Sequence, residues 1–149
     1  LCEMYSKVYG MSTAIARFFN VYGPRQPISG PYATVVGVFE GQTLRGEPIT
    51  ITGTGDQRRD FTHVKDIVGG LYSLSKGSYS GDVYNLGTGK NYSINELASM
   101  FMPEKTDYIP SRPGEAKVTL ADISKTTEAT GWSPSHSLSE YVQEFLQSI

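Results

Sequence analysis

The chain has 149 residues, 38% of them hydrophobic, with 13 Lys and Arg against 15 Asp and Glu for a net charge of −2. That size supports one hydrophobic core but not two, and the near-neutral balance gives no reason to expect nucleic acid or a membrane surface as a partner. The one cysteine, Cys2, excludes an internal disulfide, and no run reads as a signal peptide or a spanning segment, so the expected location is cytoplasmic.

Residues 1–9 predict a helix, with Leu1, Met4, Tyr5 and Val8 on one face and Gly10 as its stop. A chain that opens on Leu rather than Met is expected to be a fragment, a processed product or a truncated reading frame. Residues 13–19, apolar at Thr13-Ala14-Ile15-Ala16, predict a strand covered on both faces and closed by the Gly23-Pro24 turn. Ligands of open α/β sheets bind beyond the carboxyl ends of strands, so Asn20 is expected to face a site with Phe18 and Phe19 packed beside it. A helix over 33–45, strands over 49–52 and 61–64, a helix over 65–76 and a strand over 82–86 follow. Then come a helix over 94–101, a strand over 107–109 and helices over 123–129 and 138–147. The alternation predicts an α/β fold, part of whose sheet lies outside this chain, and no repeat or linker divides residues 1–149.

Two segments imitate catalytic motifs. Tyr72 and Lys76 share a helical face at Tyr-x-x-x-Lys spacing, but at the end of a helix they read as an amphipathic tyrosine and a lysine favoured by the helix dipole. Gly87-Thr88-Gly89 sits between a strand and a helix, where a dinucleotide fingerprint would stand, yet Tyr92 occupies the third glycine position. Ser93-Ile94-Asn95-Glu96 reads as a capping box, which makes the turn structural. His63 reads as a structural hydrogen-bonding residue, Trp132 as core, and neither His63 nor His136 has metal-ligand spacing.

Four motifs occur in one order: Arg17-Phe18-Phe19-Asn20-Val21-Tyr22-Gly23-Pro24-Arg25-Gln26; Ile51-Thr52-Gly53-Thr54-Gly55-Asp56-Gln57-Arg58-Arg59-Asp60-Phe61; Val83-Tyr84-Asn85-Leu86-Gly87; and Arg112-Pro113-Gly114-Glu115 followed by Ala121-Asp122. Together they resemble the extended short-chain dehydrogenase/reductase family, the NAD-dependent nucleotide-sugar epimerases and dehydratases of the UDP-glucose 4-epimerase type, over their C-terminal part. The resemblance implies the substrate-binding part of an extended Rossmann-type enzyme, with residues 1–20 a remnant of a Rossmann half. It further implies NAD in the intact enzyme, none held tightly by this chain alone, and a catalytic Tyr-x-x-x-Lys pair upstream of Leu1. The implied partners are a nucleotide-diphosphate sugar, the Rossmann half and a second copy in a homodimer. The alternatives are a 4,6-dehydratase, a decarboxylase or a non-enzymatic nucleotide-sugar-binding module.

A diphosphate suits arginine, whose planar fork pairs two oxygens at once. By the resemblance Arg59 and Arg112 match the phosphate arginines, Glu115 the acceptor of the ribose hydroxyls, and Asn20 the amide on the diphosphate or sugar. Thr34 and Val35 match the nucleotide end of a helix, Thr50 and Thr52 the strand beside the base, and Thr119 is the candidate for the sugar pocket. The family often has an aromatic residue where Thr52 stands and proline where Gly37 stands. From the residues alone, Arg58 and Arg59 read as a solvated loop pair, Glu115 as a partner of Arg112, Asn20 as a cap of the Gly23-Pro24 turn, and Asp60 as a brace for Arg59 or the local turn.

Overall fold

A computed structural model describes residues 1–149. Helices and strands alternate as α1 (Cys2–Tyr9), β1 (Thr13–Phe18), β2 (Val21–Tyr22), α2 (Val35–Leu44), β3 (Ile49–Thr52), β4 (Arg58–Arg59), β5 (Thr62–His63) and α3 (Val64–Ser75). The rest of the chain adds β6 (Ser80–Leu86), β7 (Tyr92–Ser93), α4 (Ile94–Met100), β8 (Thr106–Ile109), α5 (Ser124–Thr130) and α6 (Leu138–Gln147). The strands pair two by two: β1 with β6, β2 with β5 and β3 with β8 in parallel, and β4 with β7 antiparallel. β2, β4 and β7 have two residues each, too few to carry a periodicity, and the sequence did not predict them.

Local chemistry sets the element ends. Gly10 closes α1 in the left-handed region at φ 65°, with its N–H bonded to the Ser6 carbonyl. α2 begins later than expected because Thr34 caps it, its hydroxyl accepting the Gly37 N–H at 3.4 Å. Proline at 37 could not donate that bond, and any side chain there would meet the Pro27 carbonyl, so glycine fits both constraints. The capping box of α4 is present: Ser93 Oγ accepts the Glu96 N–H at 3.0 Å while Glu96 accepts the Ser93 N–H at 2.7 Å. His63 Nδ1 accepts the Lys65 N–H at 3.2 Å, which turns the expected strand over 61–64 into a helix from Val64 onward.

Twelve buried side chains, among them Val36 and Phe39 of α2, Ile51 of β3, Leu97 of α4 and Val142 of α6, form the main core. The expectation of a single core is corrected by a second cluster, Ile67, Leu74, Tyr84, Leu86 and Trp132. It arises because β1 and β6 pair only with each other and build a layer apart from β3 and β8. β1 is likewise not covered on both faces within this chain. Ala14, Ile15, Arg17 and Phe18 are exposed, and one edge of the strand has no neighbour. Beside it α1 turns Leu1, Met4, Tyr5 and Val8 to solvent at 91, 47, 42 and 64% exposure, an apolar face of the kind on which another element packs. No helix is long and apolar enough to cross a membrane.

Candidate functional site

The ends of several elements meet around one cavity of about 270 Å³. Asn20 enters it from beyond β1, Thr34 and Val35 from the start of α2, Thr50 and Thr52 from β3, Arg59 from β4, and Arg112 and Glu115 from the loop after β8. Val38, Phe39, Phe61, Ile94 and Ile109 supply its apolar wall. Arg59 and Arg112, far apart in sequence, therefore reach the same space. Thr119 stands just behind it: its hydroxyl accepts the Asp60 N–H at 3.3 Å and lies 3.3 Å from Asn20 Oδ1. The hydroxyl proton is then available to Asn20 Oδ1, which leaves the Asn20 NH2 group free to donate elsewhere.

Arg59 is 8% exposed and forked between two acceptors, with Nη1 donating to the Arg58 carbonyl and Nη2 to Glu115 Oε1, both at 2.9 Å. The pairing of Glu115 with Arg112, expected from their spacing, is not what forms. Arg112 and Glu115 flank a tight turn, and the bridge between Arg58 and Val118 lays the following segment beside β4, which carries Glu115 to Arg59. Arg112 itself enters no ion pair. Arg58 is not a solvated loop residue either: it donates to the Asn91 side chain at 2.8 Å and to its carbonyl at 2.9 Å, and pairs with Glu96 at 3.0 Å.

Asp60 is fully buried and braces the local turn rather than Arg59. Its carboxylate accepts the N–H groups of Thr88 at 2.8 Å, Gly89 at 3.0 Å and Ala121 at 3.0 Å, and the hydroxyls of Thr88 at 2.6 Å and Thr62 at 3.4 Å. The amide cradle at Gly87-Thr88-Gly89 thus already holds an anion from its own chain, and the turn is structural. Tyr72 and Lys76 stay on the surface of α3, with the ammonium 4.1 Å from the ring centroid. No three His, Cys, Asp or Glu side chains gather as a metal set.

Two glutamines escaped sequence reasoning. Gln42 grips Thr50 through both ends of its amide, donating to the hydroxyl at 2.8 Å and accepting the N–H at 3.2 Å. Gln57, on the cavity wall, donates to the Thr52 carbonyl at 2.8 Å. They fix the strand that carries Thr50 and Thr52, and nothing in a single sequence marks a glutamine for that task.

Behind the site lies a titratable pair. The rings of His63 and His136 stack 4.5 Å apart at 17°, and His136 Nδ1 is 2.8 Å from buried Asp66, which also accepts the N–H groups of Ser135 and His136. Burial works against a charge on Asp66, but the hydrogen bonds from His136 and Ser135 outweigh it and hold the carboxyl below its usual 3.8. Burial first, and then the adjacent His136, hold His63 below its usual 6.5. The folded state therefore prefers neutral His63, whose contribution is complete above about pH 6.5 and is lost as pH falls through the lowered value; that of Asp66 persists to more acid pH. The melting temperature is expected to stay level down to about pH 6.5 and then to fall. His63→Asn, which keeps an acceptor for the Lys65 N–H, is expected to flatten the first part of that fall, just below pH 6.5. An unchanged slope would assign the acid sensitivity to other groups.

A family model described as GDP-mannose 4,6 dehydratase matches residues 1–145. The chain belongs to that family. The chain's relatives include a putative UDP-glucose 4-epimerase of Methanocaldococcus jannaschii, 34% identical over 95% of this chain and 47% of the relative, and UDP-glucuronic acid decarboxylase 6 of Arabidopsis thaliana, 36% identical over 91% and 40%. Among solved structures, UDP-glucose 4-epimerase of Thermotoga maritima with UDP-glucose superposes with a TM-score of 0.88 at 33% identity, over 98% of this chain and 50% of that one. UDP-glucuronic acid 4-epimerase of Bacillus cereus, in complex with UDP-glucuronic acid and NAD, gives 0.84 at 32%, over 99% and 49%. The chain spans about half the length of these epimerase structures, and the part it spans is the C-terminal part of an extended short-chain dehydrogenase/reductase.

Proposed function

We propose that this chain is the nucleotide-sugar-binding part of an NAD-dependent UDP-hexose 4-epimerase-like enzyme. The observation that carries the reading is the meeting of Asn20, Arg59, Arg112 and Glu115 at one cavity with an apolar wall. Two arginines answer the diphosphate, the Asn20 amide the diphosphate or sugar, and Glu115 the ribose hydroxyls. Thr34, Val35, Thr50 and Thr52 flank the base, and Thr119 serves the sugar side through Asn20. NAD belongs to the intact enzyme, and the Gly87-Thr88-Gly89 turn does not serve as its pyrophosphate cradle, because Asp60 fills it. Residues 1–20 are a remnant of a Rossmann half whose other elements carry the proton-transfer pair and dock against them. The open edge of β1 and the apolar face of α1 support that docking, and the intact enzyme is a cytoplasmic homodimer. Alone, the chain turns over no sugar nucleotide.

A second reading, UDP-glucuronate decarboxylation, is favoured by the decarboxylases among the relatives. The experiment is to titrate the chain with UDP-glucose and UDP-glucuronic acid, and then to assay both after adding a separately produced Rossmann half. Binding without turnover, followed by 4-epimerised product on reconstitution, is expected. Carbon dioxide released from UDP-glucuronic acid would favour the second reading, and turnover by the chain alone would refute the division of labour.

A further inference from the structure

We infer that Gln26 is a positioning residue for nucleotide-sugar binding: anchored through Tyr141 to the buried carboxylate of Glu40, it draws the Thr34 hydroxyl proton away from the cavity, so that Thr34 meets its ligand only as an acceptor. The inference rests on the nucleotide-sugar reading of the cavity and deepens it.

Glu40 lies within α2, 5% exposed and in no ion pair. A carboxylate so placed, with no cation beside it, holds firmly to whatever donor it has. That donor is the Tyr141 hydroxyl of α6, at 2.6 Å. Burial first, and then the hydrogen bond to Glu40, hold the Tyr141 phenol well above its usual 10, so it keeps its proton and gives it to Glu40. The Tyr141 oxygen then has only lone pairs left to offer. Gln26 Nε2 stands 3.5 Å from that oxygen, the longest link of the set. A reversed amide would set Gln26 Oε1 against an oxygen with no proton to give, so the NH2 group is the end that faces Tyr141. Gln26 Oε1 is thereby turned to Thr34 Oγ1, 3.0 Å away, and accepts its proton. Thr34 Oγ1 in turn accepts the Gly37 N–H at 3.4 Å. Neither Gln26 nor Gly37 lines the cavity, whereas Thr34 does, so what the hydroxyl has left for a ligand is a lone pair. A phosphate oxygen without a proton gains nothing from it; a hydroxyl or N–H of the nucleotide sugar does. The backbone keeps Gln26 within reach, because residues 26–28 lie against α2 where a side chain at Gly37 would meet the Pro27 carbonyl and one at Gly41 the Ile28 carbonyl. The polarity of one buried carboxylate is thus passed to the cavity wall, to which α6 contributes no residue.

The test is a double-mutant cycle, read by equilibrium titration of the 149-residue chain with UDP-glucose in the native sequence, Y141F, T34V and the two combined, each melted in parallel. Y141F, which changes no cavity residue, is expected to weaken binding about 5-fold, the scale of one neutral hydrogen bond. T34V is expected to weaken it at least as much, and the combination no more than T34V alone. Y141F also leaves Glu40 buried without a donor and is expected to lower the melting temperature. E40M/Y141F replaces both partners by apolar groups, and is expected to regain stability but not affinity. Should Y141F fail to fold, E40M/Y141F takes its place in the cycle. Unchanged affinity in Y141F, an equal further loss on top of T34V, or affinity that returns with stability in E40M/Y141F would overturn the inference and, with UDP-glucose still bound by the native chain, leave the nucleotide-sugar reading standing. Failure of the native chain to bind UDP-glucose would overturn both.

Discussion

Asp60→Ala is expected to destabilise the chain by at least about 3 kcal/mol, and so to lower its melting temperature by roughly 10 °C. The carboxylate is fully buried and takes five donors, three of them backbone N–H groups from two separate segments. Each donor left without an acceptor away from water costs about 1–3 kcal/mol, and alanine supplies none. For a domain whose total stability is of order 5–15 kcal/mol this is a large share. Asp60→Asn keeps one oxygen but turns an NH2 group toward N–H donors, and is expected to recover only part of the loss. Thermal melts of the two variants beside the native chain decide it. A drop of under 2 °C for alanine would mean that the turn at Gly87-Thr88-Gly89 holds its shape without the carboxylate, a loss below about 1 kcal/mol.

Arg59→Ala and Arg112→Ala are each expected to weaken nucleotide-sugar binding by about 1.5–3 kcal/mol, that is, about 10- to 150-fold, with lysine restoring only part because it lacks the planar fork. The two differ in what they do to stability. Arg59 is buried and paired, so its removal strands Glu115 and is expected to lower stability as well. Arg112 is exposed and enters no ion pair, so its removal is expected to leave stability within about 0.5 kcal/mol. Titration with UDP-glucose alongside a melting curve separates the two effects. Unaltered binding in both variants would remove the diphosphate from this cavity, whatever the family.

What the sequence determined by itself was everything governed by near neighbours. The alternation of helices and strands followed from local periodicity, the end of α1 from Gly10, and the start of α4 from Ser93 and Glu96, because caps and turns are made within a few residues of one another. The motifs also carried the family, and with it the choice of Asn20, Arg59, Arg112 and Glu115. What only the tertiary structure decided were the pairings across long stretches of chain. Asp60 was read as a brace, but that its partners are Thr88, Gly89 and Ala121 rather than Arg59 depends on where β6 delivers the turn after it. Glu115 was read beside Arg112, yet it pairs with Arg59 because the Arg58–Val118 bridge sets the register of the loop. Thr119 reaches the site through Asn20, and the stacking of His63 on His136 left no trace in the order of residues. Charges and hydrogen-bond donors choose partners by distance and orientation, and those are fixed only when strands that are remote in sequence have packed.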